Sequence, residues 1–222
     1  MSAAPAAIGV IVGMKSEAAL LAEGMLMGCT GGRPEKAAAI AARMLEQGAD
    51  GLISFGIGGG LAPGLRPGTL VVASAVDLGG ATLAADPAWF RHLANQFPQA
   101  RQGIVCGVSA AVVTPKEKAA LHAETGGLLA DMESGAVAEA CAAAGKPFAV
   151  LRAVADPAER AIPPFALQGL DEEGGTRILP VLKGLLLHPF GLPALLALAR
   201  DSQAALRALG AAARLLGPTL GF

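Results

Sequence analysis

Three acidic side chains in one stretch of the chain have the types and the spacing that acid–base catalysis needs. Asp131 and Glu133 lie where a short apolar segment meets an Ala-rich helix, and Asp156 ends the next apolar segment. Open α/β sheets bind their ligands at the C-terminal ends of their strands. We therefore expect these acids to border one site, at the ends of two neighbouring strands.

The residues around the acids predict a strand–helix–strand unit that positions them. A strand is predicted over 127–132 and a helix over 133–144, where alanine is abundant. Gly145 follows this helix at the position where helices commonly end. The second strand is predicted over 148–156, because Pro157 cannot continue its hydrogen-bonded ladder.

Strands and helices alternate along the rest of the chain, which is typical of an α/β fold. A glycine-rich loop over 56–60 is expected to bring backbone N–H groups close to an anion. Ser16 is the predicted N-cap of the first helix, with Glu17 in its first turn. The remaining predictions are strands at 8–12, 51–55, 69–76 and 103–108, helices at 35–47 and 115–123, and an irregular segment at 78–100 with a short helix around Trp89.

Length and composition favour one ordinary α/β domain with a large core. The chain has 222 residues, of which 53% are hydrophobic. Its 17 basic and 18 acidic side chains leave a formal net charge of -1, so no overall field attracts nucleic acid. We predict a small-molecule partner and no nucleic-acid partner.

Cysteine usage indicates reduced thiols and a cytoplasmic location. Cys29, Cys106 and Cys141 are odd in number and lack the spacing of a zinc site, so no metal is expected. The N-terminal segment lacks the basic region of a signal peptide. The apolar tract at 178–199 contains Lys183 and three prolines, which argues against a transmembrane helix.

Residues 200–216 predict a basic amphipathic helix. Such a helix usually covers its own core or a subunit partner, and peripheral contact with a membrane is the alternative. Its apolar face carries Leu206, Leu209, Ala213 and Leu216, and its basic face carries Arg200, Arg207 and Arg214.

Three ordered motifs resemble the purine nucleoside phosphorylase and nucleosidase superfamily over about residues 8–160. Their order and separations make the resemblance more specific than any single motif. The motifs are a first strand at 8–14 followed by Glu17, a glycine-rich segment at 56–62 followed by a strand at 66–72, and Asp131-Met132-Glu133-Ser134 joined to an Arg-containing strand at 152–156.

The resemblance implies a single three-layer α/β/α domain over residues 1–177, with a mixed, mostly central β-sheet. Residues 178–222 would form an apolar, partly basic helical extension, packed on the same domain or at an interface. A homo-oligomer is also implied. The short middle region and the Pro- and Leu-rich tail most resemble the hopanoid-associated phosphorylases, which are thought to take adenine off adenosylhopane.

The resemblance also assigns roles to the acids. Asp156 would be the general acid that protonates or hydrogen-bonds N7 of the purine, which requires burial to raise its pKa. Glu133 would accept hydrogen bonds from the ribose 2′- and 3′-hydroxyls, with Met132 packing on the sugar and Asp131 beside them. Charge-assisted bonds of this kind favour an oxocarbenium-like state.

Glu17 has two alternative roles. In a hydrolase it would activate water at C1′, whereas in a phosphorylase the same place must admit phosphate. The amides of Gly13, Gly56, Ile57 and Gly58, with Arg33, are the candidate anion pocket. We expect no cofactor and slightly favour phosphorolysis, with phosphate as co-substrate.

Two features depart from the pattern. Related enzymes often have serine where this chain has Ile57, and the chain contains no tyrosine to stack on a purine. Ser109 and Val154, together with Val108, are the candidates to line the base pocket instead. These departures motivate a rival hypothesis, a noncatalytic nucleoside- or lipid-binding module on the same fold.

Overall fold

The computed structural model describes residues 7–169, 171, 173–187 and 189–222. Within them, strands and helices alternate along most of the chain, and two helices follow the last strand. The strands are β1 (Ile8–Val12), β2 (Leu26–Cys29), β3 (Gly51–Gly60), β4 (Leu70–Asp77), β5 (Thr82–Ala84), β6 (Arg101–Gly107), β7 (Leu129–Asp131) and β8 (Phe148–Asp156). The helices are α1 (Lys15–Ala18), α2 (Pro34–Glu46), α3 (Pro87–Gln96), α4 (Pro115–Thr125), α5 (Ser134–Ala144), α6 (Ile178–Leu187) and α7 (Leu192–Leu216).

All the described strands belong to one mixed sheet in the order β2-β1-β3-β7-β6-β4-β5, with β8 pairing both β3 and β4. Most pairs are parallel, but β7 runs antiparallel to β3, and β4 runs antiparallel to both β5 and β8. Because β8 joins β3 to β4, the strands β3, β7, β6, β4 and β8 close into a ring. The predicted α/β class with a mixed central sheet and a C-terminal helix is confirmed.

Side chains of β8 alternate between two hydrophobic clusters, which is why this strand reads as a continuous apolar run. Val150 and Val154 pack in the cluster that contains α2 and α5. Ala149 and Leu151 pack in the cluster that contains α3 and α7. All nine residues of β8 are buried, so its C-terminal end carries side chains into the interior.

The acidic motifs lie on two strands that do not pair with each other. β7, which ends at Asp131, pairs with β3 and β6, whereas β8, which ends at Asp156, pairs with β3 and β4. The expectation of neighbouring strands was therefore wrong in detail, because β3 lies between the two. Both strands still reach the end of β3, at Gly59 and Gly60.

The predicted glycine-rich loop at 56–60 is the second half of strand β3. Glycines let neighbouring backbone and side chains approach this half of the strand closely: a Cβ on Gly58 would lie 2.7 Å from the Ala130 carbonyl oxygen.

Ser16 is inside α1 and the N-cap is Met14, which corrects the predicted start of that helix. Strand β2 was not predicted, and the segment at 78–100 contains β5 and the ten-residue helix α3.

Helix α7 packs its apolar residues against the sheet. Leu209 is fully buried and Ala213 is nearly so, in the cluster shared with β8, while Arg207 and Arg214 are exposed. The amphipathic face predicted over 200–216 thus covers the protein's own core. None of the described helices is long and apolar enough to cross a membrane.

We expect α7 to be an integral part of the folding unit. Leu209→Ala should lower the free energy of unfolding by about 2–5 kcal/mol, because it removes a fully buried side chain from a packed cluster. Leu215→Ala is the matched control, since Leu215 is 68% exposed on the same helix. Urea unfolding measures both variants, and equal stabilities would show that α7 does not fold with the sheet.

Candidate active site

The buried guanidinium of Arg152 is the centre of the site. Its Nη2 atom donates hydrogen bonds to Ser54 Oγ at 2.5 Å, Asp131 Oδ1 at 3.1 Å and Glu133 Oε2 at 3.0 Å. The side chain is fully buried in the middle of β8. A buried cation is tolerated only when it is paired and hydrogen-bonded. Arg152 therefore requires carboxylates from the neighbouring elements.

Asp131 joins this cluster to the start of α5. Its Oδ1 atom accepts hydrogen bonds from the backbone N–H of Glu133 at 2.8 Å and of Ser134 at 2.7 Å. Its Oδ2 atom accepts one from Ser134 Oγ at 2.6 Å. A carboxylate at a helix N-terminus satisfies unpaired N–H groups and is favoured by the helix dipole. Asp131 thus fixes the backbone from which the Glu133 side chain projects.

Glu133 lies between Arg152 and the end of β1. Besides the bond from Arg152, its Oε1 atom accepts a hydrogen bond from Thr30 Oγ1 at 3.0 Å. A Cβ on Gly13 would lie 3.0 Å from the same oxygen, so the β1 backbone reaches this carboxylate only because residue 13 is glycine. Burial raises the pKa of Glu133, and the Arg152 cation opposes that rise.

Glu17 is buried at the N-terminus of α1, held by three backbone amides. Gly13 and Met14 donate to its Oε2 atom at 2.8 Å each, and Ile57 donates to its Oε1 atom at 2.8 Å. A Cβ on Gly56 would lie 2.6 Å from both Glu17 Oε1 and Arg152 Nη1. Burial raises the pKa of Glu17 to about 7, against the lowering effect of Arg152 and with a further rise from Glu133. A carboxyl group with this pKa suits a general base near neutral pH.

Asp156 ends β8 and is 5% exposed. A Cβ on Gly59 would lie 3.4 Å from its Oδ2 atom, so the end of β3 faces this carboxyl group. The same Oδ2 atom forms an ion pair with Lys118 of α4, which is fully buried. Burial raises the pKa of Asp156, and the Lys118 ammonium opposes that rise. Asp156 therefore has its own cation, separate from Arg152.

The structure brings together part of the set predicted from sequence. Glu17, Gly13, Gly56, Ile57, Asp131 and Glu133 surround Arg152, and Asp156 lies at the end of the same strand as Arg152. Met132 is half-buried between the two acids of its motif, and Gly58 faces β7. Ser109 is exposed, Val154 is buried in a hydrophobic cluster, and Arg33 is exposed at the N-cap of α2.

Four polar residues of the site received no role from sequence: Arg152, Ser54, Thr30 and Lys118. Arg152 carried a signal, because an arginine inside the run FAVLRAVAD must be buried and paired. Ser54 carried a weaker one, as a lone hydroxyl in an apolar strand. Lys118 carried none, since a lysine in the segment PKEKAA reads as part of a solvated helix.

Comparison with known proteins identifies a family and a shared fold. Residues 25–177 match the Phosphorylase superfamily, and the chain belongs to that family. A futalosine hydrolase of Streptomyces coelicolor is 38% identical over 127 residues, 49% of this chain and 54% of that protein. A 5′-methylthioadenosine/S-adenosylhomocysteine nucleosidase of Actinobacillus succinogenes is 31% identical over 144 residues, 54% of this chain and 63% of that protein. The matched part thus spans little more than half the length of these curated relatives.

Solved structures share the fold at lower identity. The 5′-methylthioadenosine/S-adenosylhomocysteine nucleosidase of Neisseria meningitidis, in complex with methylthio-immucillin-A, superposes with a TM-score of 0.65 at 18% identity, covering 92% of this chain and 97% of that one. The native futalosine hydrolase of Helicobacter pylori gives a TM-score of 0.60 at 16% identity, covering 67% and 87%. These likenesses establish the fold.

The raised pKa of Glu17 makes stability depend on pH with a definite sign. The pKa of a glutamate carboxyl group is ordinarily 4.5, and that of Glu17 in the folded protein is about 7. At pH values between these two, the folded state binds more protons than the unfolded state. The free energy of unfolding therefore falls as pH rises through this window. One group contributes about 3 kcal/mol, since one pKa unit corresponds to about 1.4 kcal/mol.

We expect the free energy of unfolding to fall less in Glu17→Gln than in the wild type as pH rises from 4.5 to about 7. The difference between the two proteins should be up to about 3 kcal/mol. Glu35→Gln, which changes an exposed first-turn glutamate of α2, is the control. Denaturant unfolding across the window measures all three proteins. Equal pH slopes in wild type and Glu17→Gln would contradict the assignment.

Proposed function

We propose that this chain cleaves the N-glycosidic bond of an adenine nucleoside by hydrolysis. The observation that supports this most directly is the placement of Glu17, a buried carboxyl group with a pKa of about 7. Membership of the Phosphorylase superfamily supports the reaction class. Two relatives whose names specify nucleosidase and hydrolase activity support the choice of water as nucleophile.

In this proposal the buried acids divide the reaction between them. Cleavage builds positive charge on the ribose and negative charge on the departing purine. Glu17 removes a proton from the water that attacks C1′, and Glu133 accepts hydrogen bonds from the ribose hydroxyls while Met132 packs on the sugar. Asp156 interacts with N7 of the purine. Asp131 acts on substrate only through the backbone of Glu133 and through Arg152.

The geometry favours hydrolysis over the phosphorolysis that the sequence slightly favoured. The amides of Gly13 and Ile57, proposed from sequence as phosphate ligands, donate to Glu17 instead. Phosphate would have to displace this carboxylate or approach it, and two buried anions in contact repel strongly. The side chain of Ile57 offers no hydroxyl in its place. Phosphorolysis stays a prediction that the product of the reaction tests.

An assay of purified protein with adenosine, 5′-methylthioadenosine and 5′-alkyl adenosines should release free adenine without added phosphate, together with a free sugar. Glu17→Gln should lower kcat by about 10²–10⁴, the usual contribution of a positioned general base. Glu35→Gln, the exposed control, should retain activity. A ribose 1-phosphate product formed only with phosphate would establish phosphorolysis. Adenine-dependent thermal stabilisation without turnover of any substrate would favour the noncatalytic binding module.

We also propose that the 5′-substituent is apolar and lipid-like, as in adenosylhopane. Beyond the resemblance of the tail, the support lies in α6. The chain just before α6 contacts the turn that holds Glu17: Lys15 donates its backbone N–H to the Gly174 carbonyl at 2.9 Å, and a Cβ on Gly174 would lie 2.9 Å from the Gly13 carbonyl oxygen. Three residues separate Gly174 from α6, so the four-residue step from Gly174 to Ile178 spans at most about 14 Å.

The outer face of α6 is strongly apolar and unpaired within the described residues. Leu179 is 80% exposed, Leu186 83%, Leu187 71% and Phe190, just beyond the helix, 97%. The spacing of 179 and 186 puts these two leucines on one face of α6. Gly184 on the opposite face packs on Phe165. Contiguous exposed apolar surface of this kind marks an interaction site.

The charges around this face support the proposal that its partner is an anionic membrane surface. Between Glu173 and Asp201 the sequence contains no acidic residue, whereas Arg177, Lys183 and Arg200 are basic. Leucine and phenylalanine on one face with flanking cations are typical of helices that lie in the interface of a bilayer. A ten-residue helix is about 15 Å long, half the hydrocarbon thickness, so it would lie on the surface. In this proposal the protein works in the cytoplasm, at the inner face of a membrane.

Sedimentation with phosphatidylcholine vesicles should recover more protein when phosphatidylglycerol is included. Leu179→Gln with Leu186→Gln should weaken this binding by about tenfold or more, because burial of one leucine side chain is worth about 1.5–3 kcal/mol. Leu215→Gln, an exposed leucine of α7, is the matched control. If instead the double variant changes the oligomeric state by light scattering and leaves vesicle binding intact, the face is an interface between copies in a homo-oligomer.

A further inference from the structure

Lys118 is buried at a place that is unfavourable for an ammonium group. It is the buried residue of α4 and lies in the first turn of that helix, whose N-cap Thr114 and third residue Glu117 form a capping box. The N-terminal end of a helix carries partial positive charge, which repels a cation. Burial adds a desolvation penalty. A lysine kept here despite both effects is a candidate for a specific role.

The contacts of Lys118 are complete and all lie at the end of β8. Its Nζ atom donates to Asp156 Oδ2, to the Pro157 carbonyl at 3.0 Å and to the Arg160 carbonyl at 3.0 Å. An ammonium group has three N–H donors, so each one has an acceptor. The Lys118 ammonium therefore carries a proton that lies beside Asp156, the group proposed to meet the purine.

We propose that Lys118 is a positioning residue for Asp156, which orients this carboxyl group and supplies the proton that Asp156 passes to the departing purine. This inference rests on the proposed function. As the C1′–N9 bond breaks, its electron pair moves to the purine. Lys118 Nζ gives a proton to the Asp156 carboxylate and becomes a neutral amine, and the carboxylic acid formed at Asp156 gives a proton to N7. The proton that Glu17 removed from water balances the charge, and exchange with solvent restores both groups after adenine leaves.

The arrangement resolves a conflict in the roles of Asp156. A general acid must deliver a proton, yet a carboxyl group paired with an ammonium is held in its ionised form. If the proton resides on Lys118, the pair delivers it at neutral pH without Asp156 being protonated beforehand. The other charged groups near the pair are Arg160, which is ion-paired with Asp201 of α7, and Glu159, which is exposed and accepts a hydrogen bond from Gly64 N–H.

The dependence of kcat/KM on pH in Lys118 variants tests this inference. In the wild type, the alkaline limb reports loss of the proton that the pair shares. In Lys118→Met, Asp156 must carry the proton itself, so the alkaline limb should move to lower pH. Activity should be nearly normal in acid and about 10²-fold or more lower above neutral pH, the usual contribution of a general acid. Lys116→Met, an exposed lysine of the same helix, should behave as wild type.

Lys118→Arg separates proton supply from positioning. Arginine retains the positive charge and the N–H donors but cannot give up a proton. Its alkaline limb should also move to lower pH, whereas a role limited to charge and position would leave Lys118→Arg close to wild type. A limb that moves to higher pH in Lys118→Met, or does not move, would overturn the inference. If Lys118→Met does not fold, Lys118→Gln keeps two donors for the Pro157 and Arg160 carbonyls and takes its place.

A second readout does not depend on turnover. Carbon-13 NMR of the Asp156 carboxyl, assigned with Asp156→Asn, should show an ionised group at neutral pH in the wild type and a protonated group up to a higher pH in Lys118→Met. If this result holds but wild type releases no adenine, the proposed function fails while the coupling of Lys118 to Asp156 stands. If adenine is released but the carboxyl titrates alike in both proteins, the role of Lys118 is refuted.

Discussion

The burial of one arginine charge organises this protein. Arg152 lies in the middle of a strand whose nine residues are all buried, and its cation must be balanced inside the protein. Asp131 and Glu133 bond it directly and Glu17 lies close by, so up to three carboxylates surround one cation. Burial does not tolerate a full excess of negative charge, so part of it is relieved by protonation. The result is a carboxyl group at Glu17 whose affinity for protons suits a base near neutral pH.

The same balance explains why so much backbone converges here. The amides of Gly13, Met14 and Ile57 donate to Glu17, and the amides of Glu133 and Ser134 donate to Asp131. A side chain on the backbone at residues 13 and 56 would prevent its close approach to the charged groups. Gly13 and Gly56 remove that obstacle, because a Cβ at either residue would contact a charged group of the cluster. Gly13, just after β1, and Gly56 of β3 are thus required by the charged cluster.

The strand–helix–strand unit around the acids could be predicted from sequence because each element carries a local signal. The apolar run of β8 and the Ala-rich segment of α5 with Gly145 at its C-cap coincide with the observed elements. The continuation of β3 through 56–60 could not be predicted, since glycine lowers strand propensity and only pairing with β7 and β8 holds the segment extended. The predicted adjacency of β7 and β8 failed for a similar reason, because strand order is fixed by long-range pairing.

The site was predictable where chemistry is carried by acids and glycines, and unpredictable where it is carried by cations. Glu17 and Glu133 followed from motifs. The electrostatic environment of Asp156 depends on Lys118, which lies 38 positions away on a helix whose sequence indicates exposure to solvent. Asp156 and Glu133 are therefore paired with different cations, Lys118 and Arg152. Arg152 is shared among several carboxylates, and burial still raises the pKa of Glu17 to about 7. Lys118 forms an ion pair with Asp156.

Two carboxyl groups in environments this different can take opposite roles at one pH. In the proposed reaction, Glu17, which lies among several carboxylates, receives a proton from water. In the same proposal, Asp156, which is ion-paired with Lys118, gives a proton to the purine. Because Glu17 lies beside Arg152 and Asp156 is paired with Lys118, each environment is set by a different cation. In the proposed reaction, this difference would allow one chain to provide both an acid and a base.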